Sequence, residues 1–178
     1  RRGIVVGETT PSEADRNTLA SMMVGRPVSL EVERTEAKPG DVVLTVENLS
    51  MLDAQGQLAV NEISFDVHEG EILGIAGVQG NGQTELVEVL TGLRPAAGGV
   101  IRILGQDVTN AKPRTITELG VAHIPEDRQR NGLVMSFPIY DNLILQTYYQ
   151  PPFARQAGLQ FGEVYEYAGR VSQEFDVR

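Results

Sequence analysis

One glycine-rich segment, residues 77–84, has the composition and spacing of a site for anions: it reads Gly-Val-Gln-Gly-Asn-Gly-Gln-Thr. A phosphate-binding loop requires Gly, four residues, Gly, Lys and then Ser or Thr, and Gly77, Gly82 and Thr84 fit that spacing. Such glycines let backbone N–H groups converge on an anion at a helix N-terminus, and a hydroxyl at Thr84 would ligate Mg²⁺. We therefore predict a phosphate-binding loop formed by Gly77, Gly80, Asn81, Gly82, Gln83, Thr84 and Glu85.

This loop lacks its usual cation, because Gln83 stands at the lysine position. Glutamine can still form hydrogen bonds, but a charge pair at ~5 Å and an effective dielectric of ~20 is worth roughly 3 kcal/mol. Glu85 brings a carboxylate either close to bound phosphate or out to solvent, where it would complement the helix dipole. We therefore predict that the loop binds phosphate weakly. The segment could alternatively be an ordinary glycine-rich turn without a ligand. A dinucleotide-binding fingerprint fits less well, because Glu85 stands where its third glycine should be.

The elements that must position the loop are predicted from the period of the apolar residues. A continuously apolar run over 71–76 indicates a strand buried on both faces before the loop, and the spacing over 84–91 indicates a helix after it. Further strands are predicted over 3–7, 42–46, 58–60, 63–67, 100–105 and 121–124. Four further helices are predicted. One runs from an N-cap at Ser12 to a stop at Gly25, a short one ends over 116–119, and the other two lie over 138–149 and 164–175. This order indicates a mixed α/β chain.

The composition excludes several classes of function. The 178 residues suit about one domain with a remainder, and a net charge of −9 argues against a nucleic-acid-binding protein. The chain has no cysteine, which excludes disulfides, thiolate metal sites and cysteine catalysis. No apolar run approaches the ~18–20 residues of a membrane helix. Two isolated histidines, His68 and His123, are not expected to bind a metal, and His123 is expected in a buried strand.

The region from Val43 to Ile144 resembles the nucleotide-binding domain of an ABC transporter. The resemblance lies in residues 46–50, 61–72, 91–93 and 98–105, which look like the opening strand and the segments flanking the phosphate loop. It is closer to the second, degenerate half of the tandem ATP-binding subunits of bacterial sugar and nucleoside importers. Those halves carry a loop ending Gly-Arg/Gln-Thr-Glu-Leu, here residues 82–86, and an acidic-basic run, here Pro-Glu-Asp-Arg-Gln-Arg-Asn-Gly-Leu over 125–133.

The resemblance implies a fold of the α/β class: a partial P-loop NTPase core of the ABC type, an antiparallel β subdomain and the start of a helical subdomain. It divides the chain into the tail of a preceding ATP-binding domain (1–26), a linker (27–41), the core (42–135) and a helical start (136–178). It also implies ATP and Mg²⁺ as ligands, a transmembrane permease and another ATP-binding domain as partners, and a cytoplasmic location at the inner face of the membrane.

The acidic-basic run allows two interpretations. Adjacent carboxylates such as Glu126 and Asp127 seldom point at one substrate atom, so a solvated loop is the simpler reading. The alternative is a loop that contacts the permease or the phosphate side of a nucleotide, where Arg128 and Arg130 would serve as phosphate ligands.

Several departures from the family pattern lower the expected activity. No aromatic residue lies between Val42 and Ser64 to stack on adenine, and Ile124-Pro125-Glu126 stands where the family has a glutamine. The Leu-Ser-Gly-Gly signature, the strand with the catalytic carboxylate and the switch histidine do not occur, so the chain is interpreted as a truncated piece. We expect a domain that binds ATP weakly or for regulation and does not hydrolyse it alone. The alternatives are an interaction module that has lost the nucleotide, or a variant phosphotransferase.

Overall fold

The computed structural model describes residues 3–27, 36–53, 55–78, 80–156 and 158–177. The chain divides into two compact units, with the boundary between Lys38 and Pro39. The predicted linker, 27–41, spans this boundary, and its residues 28–35 lie outside the described ranges. The predicted domain limits stay predictions.

The first unit contains one helix, α1 (Arg16–Val24), among its described residues. Its N-cap is Asp15, whose Oδ1 accepts from the Thr18 amide at 2.6 Å, and Gly25 ends it in the left-handed conformation. The prediction of Ser12 as the N-cap is wrong, because its hydroxyl bonds with Thr10 instead. The predicted strand over 3–7 is also wrong: this segment forms no ladder and its valines are exposed.

The second unit is built on a four-stranded antiparallel sheet. Its elements begin with β1 (Val42–Leu52), β2 (Leu58–His68), α2 (Gln83–Leu90), β3 (Gly98–Ile103) and β4 (Gln106–Asp107). The strand order is β2-β1-β3-β4, so the long β1 lies between β2 and β3. The strands predicted over 58–60 and 63–67 are therefore one strand, with a register shift near Glu62, which has φ 48°.

The core of this unit lies between the sheet and α2. Val46, Leu49 and Ile101 of the sheet are almost completely buried, and Leu86 and Val89 of α2 belong to the same cluster. The apolar residues of β1 therefore pack against the apolar face of α2, and the 3–4 spacing in the sequence predicted that face of the helix.

Two predicted strands, 71–76 and 121–124, are wrong. Neither segment forms a strand, and Ile72 and Ile124 are 97% and 84% exposed. A strand that is buried on both faces needs neighbouring strands and covering helices. The described strands pair only with one another, in antiparallel fashion, and none pairs with these segments.

The remaining elements follow the sheet along the chain. They are α3 (Pro113–Glu118), a single π-helical turn (Arg128–Gly132), α4 (Ile139–Leu143), a short hairpin of β5 (Ala154–Arg155) and β6 (Gly158–Leu159), and α5 (Phe161–Glu174). A second small core, formed by Ile144, Phe153 and Val164 with Tyr140 and Tyr167 against it, holds α4 and α5 together.

The helix predicted over 138–149 is shorter than expected. After α4 the chain continues in turns that are bonded between residues three apart, from the amide of Thr147 to Ile144 O and from that of Gln150 to Thr147 O. The helix predicted over 164–175 and the one ending at Leu119 are found as α5 and α3. Among the described residues, no helix is both long and apolar enough to span a bilayer.

Candidate functional site

The start of α2 is fixed on the sheet by a glycine. Gly82 caps the helix with φ 93°, and a Cβ at this position would lie 2.6 Å from the Ala59 carbonyl oxygen of β2. Only glycine fits both the backbone angle and the space. Leu86 and Val89 then pack α2 onto the sheet. The helix end that was predicted to face an anion is therefore held by close packing.

The loop before α2 is open and exposed. Gly80 has φ 89°, and beyond its chain neighbours no described residue has an atom within 4 Å of a Cβ built there; the Asn81 amide donates to Val78 O at 3.2 Å. Because the N-cap residue of α2 is Gly82, it has no side chain to bond the first turn, and the amides of that turn are available to water or a ligand. The side-chain amide nitrogen of Gln83 is folded back against Gly77, where a Cβ would overlap it.

Gln83 and Thr84 line a cleft of about 1280 Å³. The acidic-basic loop lines the same cleft through Glu126, Asp127, Arg128 and Arg130. The structure thus brings together the two groups of site residues that the sequence predicted separately. Gly77, Gly80, Asn81, Gly82 and Glu85 are not among the lining residues; the glycines shape the loop, and half-buried Glu85 lies in the first turn of α2.

The two adjacent carboxylates differ in their contacts. Asp127 Oδ1 accepts from the amides of Gln129 and Arg130 at 3.1 and 3.0 Å, so it caps the π-helical turn. Glu126 is exposed. Asp127 therefore organises the loop, and no paired-carboxylate chemistry is indicated.

The charges that face the cleft are mixed. Glu88 on α2 is paired with Arg94 at 2.7 Å, which offsets its negative charge. Arg128 and Arg130 are exposed on the π-helical turn. Their guanidinium groups are suited to bind phosphate oxygens.

Sequence reasoning missed part of the lining. Pro113 and Thr117 of α3, and Gln146 after α4, contribute to the cleft, but no local pattern marks them. The prediction that His123 lies in a buried strand is wrong, because this residue is half-buried in a segment without strand structure and lines the cleft. Within the described parts of the chain, no group of three or more His, Asp or Glu side chains could hold a metal ion.

Comparison with known proteins decides the family, because residues 60–174 match the family described as ABC transporter. The chain belongs to the ABC transporter family. Along its full length it is 43% identical to the nucleoside import ATP-binding protein NupA of Lactococcus lactis subsp. cremoris and to the guanosine import ATP-binding protein NupO of Bacillus subtilis. It is 40% identical to the glucose import ATP-binding protein TsgD13 of Haloferax volcanii. The chain spans only about a third (32–35%) of the length of these relatives.

Solved structures give the same fold. The ATP-binding cassette MJ1267 matches 75% of this ABC transporter chain, which covers 53% of that cassette, with a TM-score of 0.56 and 20% identity. A nucleotide-free ATP-binding cassette matches 71% of the chain, which covers 46% of that structure, with a TM-score of 0.52 and 22% identity. The predicted family and the α/β fold of the ABC-type P-loop core are thereby confirmed.

Proposed function

We propose that this chain is a nucleotide-binding domain of an ATP-binding subunit that energises import of nucleosides or sugars. It binds Mg-ATP weakly or as a regulatory ligand, and it does not hydrolyse ATP by itself. The observation that carries the proposal is the shared cleft: Gln83 and Thr84 at the start of α2 line it, and so do Arg128 and Arg130. The import ATP-binding proteins among the relatives support the transport role.

The residues at the start of α2 fit a phosphate group with Mg²⁺. Gly80 leaves the loop open, and the uncapped first turn of α2 offers amides to an anion. Thr84 is exposed at the cleft, so its hydroxyl is available as a ligand of the Mg²⁺ that accompanies ATP. When bound, Mg²⁺ would supply charge neutralisation at the phosphates.

Weak binding follows from the charge at residue 83. Gln83 offers a neutral amide where the motif has lysine, and that amide is folded against Gly77. We infer that Arg128 and Arg130, which line the same cleft, supply the missing positive charge. Because both arginines are exposed, water and salt weaken their attraction for phosphate.

The proposed partners follow from the same role. ATP binding would drive a transmembrane permease. A second ATP-binding domain, in tandem or as a dimer, would complete the ATP site. The domain would then lie in the cytoplasm against the inner face of the membrane. The specific solute, nucleoside or sugar, belongs to the permease side of such a system, and the nucleoside relatives favour nucleosides.

Calorimetric titration with Mg-ATP tests the proposal. We expect wild type to bind with a Kd between ~1 μM and ~1 mM, and the double substitution Arg128→Ala/Arg130→Ala to weaken binding at least tenfold. Arg155→Ala on β5 is the matched control, because Arg155 is exposed and outside the cleft lining. Equal affinity in all three proteins would contradict the role of the two arginines.

Turnover separates this proposal from a phosphotransferase. We expect no steady phosphate release from Mg-ATP by the purified chain. Steady release that Thr84→Ala abolishes would contradict the proposal and favour an active variant P-loop enzyme. Absence of any Mg-ATP binding would favour an interaction module that has kept the fold, a reading that the Gln83 amide packed against Gly77 supports.

A further inference from the structure

Tyr149 lies between two parts of the second unit that have separate cores. One core is formed by the sheet with α2 and Ile116 of α3. The other is formed by Ile144, Phe153 and Val164 around α4 and α5. Segment 144–150 leads from Ile144 of the second core to Tyr149, whose side chain reaches α3 of the first.

The contacts of Tyr149 with α3 are of two kinds. Its hydroxyl donates a hydrogen bond to Glu118 Oε1 at 2.9 Å, and its ring lies under Arg114, with Cζ 4.1 Å from the ring centroid. Arg114 and Glu118 are four residues apart and share one face of α3. Gln150 Nε2 donates to the same hydroxyl at 3.3 Å. We call Tyr149, Arg114 and Glu118 the tyrosine clamp.

The chemistry of the clamp suits a persistent contact. The Tyr149 hydroxyl is a donor at neutral pH, and burial and the hydrogen bond to Glu118 raise its pKa further above the usual value. A hydrogen bond to a carboxylate is stronger than a neutral one, and the guanidinium over the ring adds a cation–π attraction.

Both sides of the clamp also line the cleft. Pro113 and Thr117 come from α3, and Gln146 comes from the segment that ends in Tyr149. If segment 144–150 moved away from α3, these lining residues would separate. The spacing of this part of the cleft therefore depends on the clamp.

We propose that Tyr149 is a positioning residue that fixes the width of the nucleotide cleft by holding segment 144–150 against α3. The identity of the ligand rests on the proposed function, whereas the mechanical role of the clamp does not. Loss of the clamp separates the walls and weakens the binding of Mg-ATP, although Tyr149 itself is not among the cleft-lining residues.

The distance between the two parts tests the mechanical role directly. Because the chain has no cysteine, Thr115→Cys on α3 and Glu166→Cys on α5, both exposed, can be spin-labelled selectively. We expect a single narrow distance distribution in the labelled parent, and a broader or longer one after Tyr149→Phe. Tyr148→Phe is the matched control, because it removes the hydroxyl of the neighbouring tyrosine, a residue that is 45% exposed. A Tyr149→Phe distribution identical to the parent would overturn the proposal.

Binding of Mg-ATP tests the consequence for the cleft. We expect Tyr149→Phe to raise the Kd for Mg-ATP roughly two- to twelvefold. This change corresponds to the loss of one hydrogen bond with a net contribution of about 0.5–1.5 kcal/mol. Tyr148→Phe leaves it unchanged. An unchanged Kd after Tyr149→Phe overturns the link to binding. If wild type binds no Mg-ATP, the proposed function fails, and the label distances alone decide the clamp.

Discussion

Replacing Gly82 by alanine tests how the start of α2 is fixed on the sheet. At φ 93° an alanine adopts a left-handed conformation, which costs roughly 1–2 kcal/mol. Its Cβ would also lie 2.6 Å from the Ala59 carbonyl oxygen, and relief of such overpacking costs typically about 1–3 kcal/mol. Together we expect Gly82→Ala to lower the free energy of unfolding by about 2–5 kcal/mol.

Gly80→Ala separates the two causes. Gly80 has φ 89°, but beyond its chain neighbours no atom of the described residues lies within 4 Å of a Cβ built there, so this variant carries the backbone strain of about 1–2 kcal/mol without the clash. Urea unfolding followed by far-UV circular dichroism gives the free energy of each variant. Equal midpoints for Gly82→Ala and Gly80→Ala would refute the close approach of α2 to β2.

Three further predictions follow from the packing and the hydrogen bonds. Leu49→Ala, at a completely buried position, should cost about 2–5 kcal/mol in urea unfolding, whereas Leu52→Ala, at a position 44% exposed, should cost far less; equal losses would contradict the assigned core. Asp127→Ala should speed hydrogen exchange at the two amides that Asp127 caps, and Asp127→Asn should largely preserve their protection; unchanged rates in both would contradict the cap. The Thr109 amide lowers the pKa of Asp107 below 3.8 in the folded state. The Asp107 carboxylate therefore stabilises the fold at pH values above its ordinary pKa, and this contribution is lost as the pH falls through the lower pKa of the folded state. The stability difference between wild type and Asp107→Asn should shrink in acid, and a difference independent of pH would contradict the assignment.

The sequence predicted those parts of the fold whose stability is local. Each of these parts carries its own signal: the β-branched run of β1, the alternating residues of β2, the 3–4 spacing of α2 and α5, and the glycine end of α1. These elements pair or pack with segments that the chain itself supplies.

The same patterns failed where stability depends on distant partners. Residues 71–76 have the apolar composition of a buried strand, yet composition does not say whether neighbouring strands are present to pair with it. The length of α4 could not be predicted either, because the turns after Leu143 depend on tertiary contacts such as those of Tyr149 with α3.

The candidate site was predictable in its parts and not in its assembly. The spacing of Gly77, Gly82 and Thr84 identified the loop, and the run around Arg128 identified its companion. Only the fold shows that both line one cleft with Thr117 and Gln146. The roles of these residues in binding remain predictions.

Calorimetric titration of wild type and Gln83→Lys with Mg-ATP tests the proposed ATP site. We expect wild type to bind with a Kd between ~1 μM and ~1 mM. We also expect the added charge, worth roughly 3 kcal/mol, to tighten binding by about a hundredfold. Binding by Gln83→Lys alone, with no heat from wild type at ~1 mM Mg-ATP, would contradict a weak ATP site in the natural chain and favour an interaction module.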